Sequence, residues 1–266
     1  MNTIDLEIDN ILENEQKRQR DSAVFIASEN YASSSVRKYT SSILTNKYAE
    51  GYPGQRYYAG CEFADQAENL AIERGKKIFQ SNHINVQPHS GSQANMAAYI
   101  ALLNPGDKIL SLSLDHGGHL SHGHNVNFSG KIYEIHNYFL DKETEMIDFE
   151  SLQKTAEEIK PKIIICGFSA YSRIIDFPKF KKIAESVNAL LMADIAHIAG
   201  LIVSKQHPSP VNIADIITST THKTLRGPRG GIAIISDSLS KKYDRGIYPA
   251  VQGVPLMNNV LAKAVA

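Results

Sequence analysis

Lys223 stands between His222 and Thr224, after the apolar and hydroxyl-bearing run 216–221 and just before Arg226-Gly227-Pro228-Arg229-Gly230-Gly231. A lysine amine bonds to a carbonyl carbon only when deprotonated, and a desolvated or positively charged neighbourhood favours that form. A plain surface lysine is the competing description. Asp194 closes another apolar run, Leu190-Leu191-Met192-Ala193, with His197 three residues on. There an aspartate either caps a helix or faces a ring nitrogen, keeps it protonated and makes the ring an electron sink. Ser90-Gly91-Ser92 precedes the apolar stretch 94–103. It is either a simple N-cap or a turn whose backbone N–H groups, hydroxyls and helix dipole hold a phosphate. An anion-binding turn, a ring partner and a lysine are together what a phosphorylated pyridine aldehyde requires. Ser169, just past the run 163–167, is a further polar residue at the end of an apolar stretch.

Histidines at 116, 119, 122 and 124 raise a metal site as the rival reading. The glycines at 117, 118 and 123 break any helix that would align them, and neither cysteine lies nearby. A flexible loop in which one imidazole stacks on an aromatic cofactor is the better description, and no metal is expected. There is no Walker phosphate loop and no G-x-G-x-x-G, and Gly167-Phe168-Ser169-Ala170-Tyr171 departs from the hydrolase elbow at its last position.

The elements that must position these residues follow from the hydrophobic pattern. Short, mainly apolar runs recur at 109–112, 132–135, 163–166, 190–193, 213–217 and 231–235, and 84–86 is strand-like. Helical spacing separates several of them, at 63–78, 94–103, 148–159 and 177–187. Strands without alternation, interleaved with helices, predict an α/β fold with a mainly parallel sheet covered on both faces. In such sheets ligands sit beyond the carboxyl ends of the strands, where Asp194, Ser169 and Lys223 fall. Ile4, Ile8, Ile11 and Leu12 predict an opening amphipathic helix, and 28–58 reads as a long irregular segment. Lys plus Arg and Asp plus Glu are both 28, so net charge is zero and no nucleic-acid or membrane-surface partner is expected. Two cysteines, Cys61 and Cys166, exclude a disulfide framework, and no signal segment or membrane-length apolar run is visible. The expected location is the cytoplasm.

Ile26-Ala27-Ser28-Glu29-Asn30, the stretch 44–54, Arg56-Tyr57-Tyr58, the stretch 87–95, His116-Gly117-Gly118-His119-Leu120 and the stretch 220–231 extend over nearly the whole chain. In them the sequence resembles the serine hydroxymethyltransferase family. That resemblance implies the aspartate-aminotransferase-like large domain of fold type I pyridoxal-phosphate enzymes, with a sheet of seven strands between helices. It implies an N-terminal helix and interface arm over 1–50, a cofactor-binding large domain over 51–266, and a small C-terminal domain lacking from this chain. Lys223 would bond to the cofactor, Asp194 would pair with its ring nitrogen, and His119 would stack on the ring. His197 and Ser169 would lie near the ring hydroxyl, Gly91 and Ser92 at the phosphate. Ser28 and Arg229 would bind or orient substrate and cofactor. Tyr48, Glu50 and Tyr58 would act across a dimer interface, Glu50 transferring protons. Leu114 and residues 118–120, namely Gly118, His119 and Leu120, would contact tetrahydrofolate, the co-substrate, and His222 would tune reaction specificity.

The implied reaction moves the hydroxymethyl carbon of serine to tetrahydrofolate, leaving glycine, in a homodimer or a pair of dimers. Two departures qualify it. The family's carboxylate-gripping arginine belongs to the C-terminal domain, so no residue here is assigned to it, and losing such a clamp impairs affinity and positioning. Val254 also stands where the family has a glycine whose backbone reaches the neighbouring subunit's phosphate, and a β-branched residue tolerates fewer backbone conformations. The alternatives are a catalytically impaired cofactor-binding remnant and a threonine-aldolase-like lyase of the same cofactor class.

Overall fold

The computed structural model describes residues 5–266; Ile4, counted above in the opening helix, lies outside them. In chain order the elements are α1 (Leu6–Asp21), α2 (Ser34–Thr40), β1 (Gly51–Tyr52), β2 (Gln55–Arg56), α3 (Glu62–Phe79), β3 (Ile84–Asn85) and α4 (Gly91–Leu102). Next come β4 (Lys108–Leu112), α5 (Phe128–Ile132), β5 (Glu134–Tyr138), α6 (Phe149–Ile159), β6 (Ile163–Cys166) and α7 (Phe177–Ser186). The remainder is β7 (Leu190–Asp194), α8 (Ala199–Val203), β8 (Ile216–Thr220), β9 (Gly231–Ile235), α9 (Ser240–Ile247) and α10 (Met257–Val265). The expected α/β architecture is present: seven strands form one sheet in the order β3-β9-β8-β7-β6-β4-β5. All described neighbours are parallel except where β9 runs against both β8 and β3. No helix among the described residues is long and apolar enough to cross a membrane.

The inner strands β4, β6, β7 and β8 carry consecutive apolar residues because successive residues point into two different cores. Leu110, Ile164, Leu191 and Ile217 face a core closed by α3, α6, α7, α8 and α10. Their neighbours Ile109, Ile163, Met192 and Ile216 face the opposite core, closed by α4 and α9. Each fully buried Ile or Leu is worth about 1.5–3 kcal/mol of transfer free energy. The helix starts are set by local chemistry: Ser90 Oγ accepts from Gln93 N to open α4, and Asp148 and Asp176 cap α6 and α7 in the same way.

Four boundaries differ from the hydrophobic pattern. The strand expected at 132–135 is β5, because Asn127 caps a short helix that uses up Lys131 and Ile132 and pairing with β4 begins at Glu134. The strand expected at 213–217 is β8, because the Pro210 carbonyl holds the N–H groups of Ile213 and Ala214 in a turn. Its hydroxyl residues continue the ladder instead, Thr218 lying opposite Asp194. The run 84–86 is the two-residue β3. The segment 28–58 is not wholly irregular: Ser33 caps α2, and β1 and β2 form a small hairpin, elements too short to leave a hydrophobic period. The opening helix does form, but none of its described residues is buried, and Leu6, Ile8, Ile11 and Leu12 face outward.

Gly167 links the fold to the site. It follows β6 with φ +95°, and a Cβ there would collide with the main-chain carbonyl of Asp194. Both its conformation and its space are reserved for glycine. Gly167→Ala is expected to cost about 2 kcal/mol or more, read as a lower thermal midpoint than wild type. An unchanged midpoint would show that the close approach of these two strand ends is not required.

Candidate functional site

Beyond the carboxyl ends of β6, β7 and β8 lies a cleft of about 380 Å³. Ten sequence-predicted residues line it: Ser28, Gly91, Ser92, His119, Ser169, Asp194, His197, His222, Lys223 and Arg229. Its floor is the Asp194 carboxylate. Oδ2 accepts hydrogen bonds from Asn95 Nδ2 and His122 Nε2, both at 2.9 Å, and Oδ1 accepts from the Ala196 N–H at 3.1 Å. Burial opposes the charge on this group. The His122 and Asn95 hydrogen bonds and the pull of His122 outweigh burial, so its pKa lies well below the ordinary carboxylate range.

The network continues outward. Asn95 Oδ1 accepts from Thr218 Oγ1 at 2.6 Å, and Asn95 Nδ2 also reaches Ser121 Oγ at 2.9 Å. His119 Nδ1 accepts from the Ser121 N–H at 3.1 Å and lies 2.7 Å from Ser121 Oγ. A ring nitrogen that accepts is unprotonated, which fits burial and the neighbouring His122 pulling the His119 pKa down to about 4. A neutral imidazole on the wall of the cleft is suited to lie against a flat ring.

Lys223 follows the end of β8, its main-chain carbonyl held by Asn30 Nδ2 at 2.8 Å. Its Nζ lies 3.1 Å from His197 Nε2. Burial lowers the Lys223 pKa, opposed by Asp194 and reinforced by Arg229. The same charges act on the neighbouring imidazoles: burial and Lys223 lower His197, while burial, Arg229 and Lys223 bring His222 to about 4. The amine is therefore biased toward its nucleophilic form.

One end of the cleft is the N-terminus of α4, a setting suited to an anion. Gly91 has no room for a side chain, since a Cβ would lie 2.7 Å from Thr220 Cγ2, so the first turn sits directly on β8. Helix N–H groups, the hydroxyls of Ser90 and Ser92, and Arg229 converge there. Among the described residues, the buried atoms Thr220 Oγ1, His122 Nδ1 and His222 Nδ1 have no hydrogen-bond partner, and all three residues line the cleft. A polar, aromatic, phosphorylated ligand fits these groups.

Six other predicted residues lie outside this lining. Tyr58 OH donates to Glu50 Oε2 at 2.7 Å and Tyr48 stands edge-on to Tyr58 with centroids 5.9 Å apart, both tyrosines being exposed. Leu114 lines a separate surface cleft with His116 and Tyr171, Leu120 is exposed, and Gly118 is buried against the Leu112 and Ser113 carbonyls. Val254 offers its carbonyl to His89 Nε2 at 2.9 Å. Sequence reading missed Asn95 and His122 as anchors of Asp194. The signals were a lone amide among the buried alanines of α4 and a histidine three residues after His119.

A family model described as serine hydroxymethyltransferase matches residues 1–266. A serine hydroxymethyltransferase of Phytoplasma australiense is 58% identical over 264 residues, covering 98% of this chain and 64% of that protein. Serine hydroxymethyltransferases of two Dehalococcoides mccartyi strains are 54% identical over 266 residues, covering 100% of this chain and 64% of theirs. The chain thus spans just under two thirds of the length of these relatives.

Truncating Asp194 would leave Asn95 and His122 facing an empty, buried site. Asp194→Ala is expected to cost about 2–4 kcal/mol at pH 7 in urea unfolding. Because the folded pKa is depressed, the contribution is complete above the unfolded pKa of about 4 and is lost as pH falls further. The gap between wild type and variant should therefore close in acid; a gap that widened there would contradict the ionised, anchored carboxylate.

Proposed function

The chain belongs to the serine hydroxymethyltransferase family, and from that premise we propose that it transfers the hydroxymethyl carbon of serine to tetrahydrofolate. The products are glycine and methylenetetrahydrofolate, and the cofactor is pyridoxal phosphate. One observation carries this reading: a lysine amine with a lowered pKa shares a cleft with a buried, ionised aspartate and a helix N-terminus.

Lys223 would hold the cofactor by bonding its amine to the aldehyde carbon, releasing water. Asp194 would keep a proton on the ring nitrogen, its own charge secured by Asn95 and His122. His119 would stack on the ring, and Ser169 and His197 would lie at its hydroxyl. Gly91 and Ser92 would take the phosphate, with Arg229 and Ser28 orienting substrate and cofactor. When bound, the cofactor supplies an electron sink for charge left on the substrate Cα as the hydroxymethyl carbon departs. His222 lines the cleft beside Lys223, in keeping with a role in specificity.

Tyr48, Glu50 and Tyr58 are proposed to serve the cleft of a second copy in a homodimer. The exposure of Tyr48 and Tyr58, and that of Phe25, Ile43 and Tyr57, supports a covered apolar surface in the assembly. Gly253 lies against Glu50 and Tyr48, so the segment leading to Val254 would belong to the same interface. Leu114, Gly118 and Leu120 would contact the folate, and residues 1–50 would act as the interface arm of the large domain at 51–266. Free, buried Cys61 and Cys166 support a reducing compartment such as the cytoplasm.

The test is an absorbance titration with pyridoxal phosphate, followed by glycine plus tetrahydrofolate. Wild type should give the band of the lysine-bound cofactor, and Lys223→Ala should abolish it while keeping its fold. Adding glycine and folate should then produce a red-shifted band of charge delocalised from Cα. A band that survives Lys223→Ala would overturn the assignment of the lysine, and hydroxy-amino-acid cleavage indifferent to folate would favour an aldolase.

A further inference from the structure

Lys263, on the last helix, has no part in the chemistry above, yet its amine is turned inward. Its stem lines a surface cleft beside Ala266, while Nζ donates to three main-chain carbonyls: Val86 at 2.6 Å, Gly231 at 2.8 Å and Pro88 at 3.0 Å. An ammonium has three hydrogens, and all three are used. Burial pulls the Lys263 pKa down to about 7, with Glu68 opposing, so this charge is kept dry at some cost.

The three acceptors are not ordinary ladder carbonyls. β3 ends at Asn85, so Val86 and Pro88 lie in the buried connection that delivers Ser90 and the first turn of α4. Gly231 opens β9 directly after Arg229 and Gly230, and its N–H is itself bound to the Pro88 carbonyl at 2.9 Å. Gly230 makes the arrangement possible, because a Cβ there would collide with the lysine stem. One turn earlier on α10, Asn259 Nδ2 donates to the Arg229 carbonyl at 2.9 Å. Two side chains of one helix face therefore grip, from behind, both stretches that carry the phosphate-end groups of the cleft.

We propose that Lys263 is a positioning residue for phosphate recognition: its three hydrogen bonds fix the Ser90–Ser92 turn relative to Arg229. This rests on reading that turn as the phosphate site. A grip on the phosphate end should govern affinity for a phosphorylated ring and leave an unphosphorylated one nearly untouched.

The experiment compares pyridoxal phosphate with pyridoxal, each titrated against the full chain and followed by the absorbance of the lysine-bound form. Wild type should prefer the phosphorylated ligand strongly; a wild type without that preference would overturn the phosphate reading itself. Lys263→Met keeps the stem and removes the donors. It is expected to lose about tenfold or more in affinity for pyridoxal phosphate, with pyridoxal changed by no more than about twofold. A variant that keeps the wild-type preference, or weakens both ligands equally, overturns the role of Lys263 while leaving the phosphate site standing. Circular dichroism without ligand reports folding. Should Lys263→Met not fold, Lys263→Gln, whose amide can reach fewer of the carbonyls, decides by the same ratio: a partial loss of preference supports the role, and an unchanged preference overturns it.

Discussion

The constraint on which this site depends is a negative charge kept out of water. Asp194 sits at the end of the central strand β7, almost fully enclosed, and remains ionised because two side chains from different elements donate to one of its oxygens. A buried carboxylate without partners would take up a proton instead. Asn95 reaches it from α4 and His122 from the turn after β4, so both segments must be in register with the sheet for the charge to persist. Gly167 permits the close approach of β6 that completes the enclosure.

The same low-dielectric setting acts in opposite directions on the bases around it. Lys223, His119, His197 and His222 all lose proton affinity, each through burial first and then through neighbouring positive charge. Besides the Arg229 guanidinium, the cleft thus holds one fixed anion and a set of nitrogens biased toward their neutral forms. That distribution suits a ligand with a protonatable ring nitrogen at one end and an anionic group at the other, which Arg229 and the α4 N-terminus would receive. Positioning is spread more widely than the lining: Asn30 holds the backbone of Lys223, and α10 holds the backbone behind the helix N-terminus.

Much of this was legible in the sequence. Runs that were apolar without alternation marked a sheet covered on both faces, and residues at the ends of those runs marked the cleft. Lys223, Asp194 and Ser169 fall there, and Ser92 is marked instead by the start of the helix that follows it. Asn95, His122 and Lys263 were not legible, because their importance lies in tertiary partners far along the chain. Asn95 acts on a residue 99 positions away and Lys263 on one 177 positions away, separations that no local pattern encodes. Strand edges failed where a cap or a proline turn used up apolar residues, as at Ile132 and Ile213. For Tyr48, Glu50 and Tyr58 the expectation concerns a second copy of the chain, and a single chain places them together on an exposed surface.

The central claim, that Asp194 is a buried and permanently ionised anchor, is open to direct observation. Carboxyl carbon NMR of the ¹³C-aspartate-labelled chain, with Asp194→Asn to assign the resonance, follows its titration as the pH is lowered. The Asp194 signal should stay at its ionised position down to about pH 3, below where an ordinary aspartate is half protonated, and move only near acid unfolding. A resonance that titrates at or above about pH 4 in the folded chain would contradict the claim, and with it the electrostatic order assigned to the whole cleft.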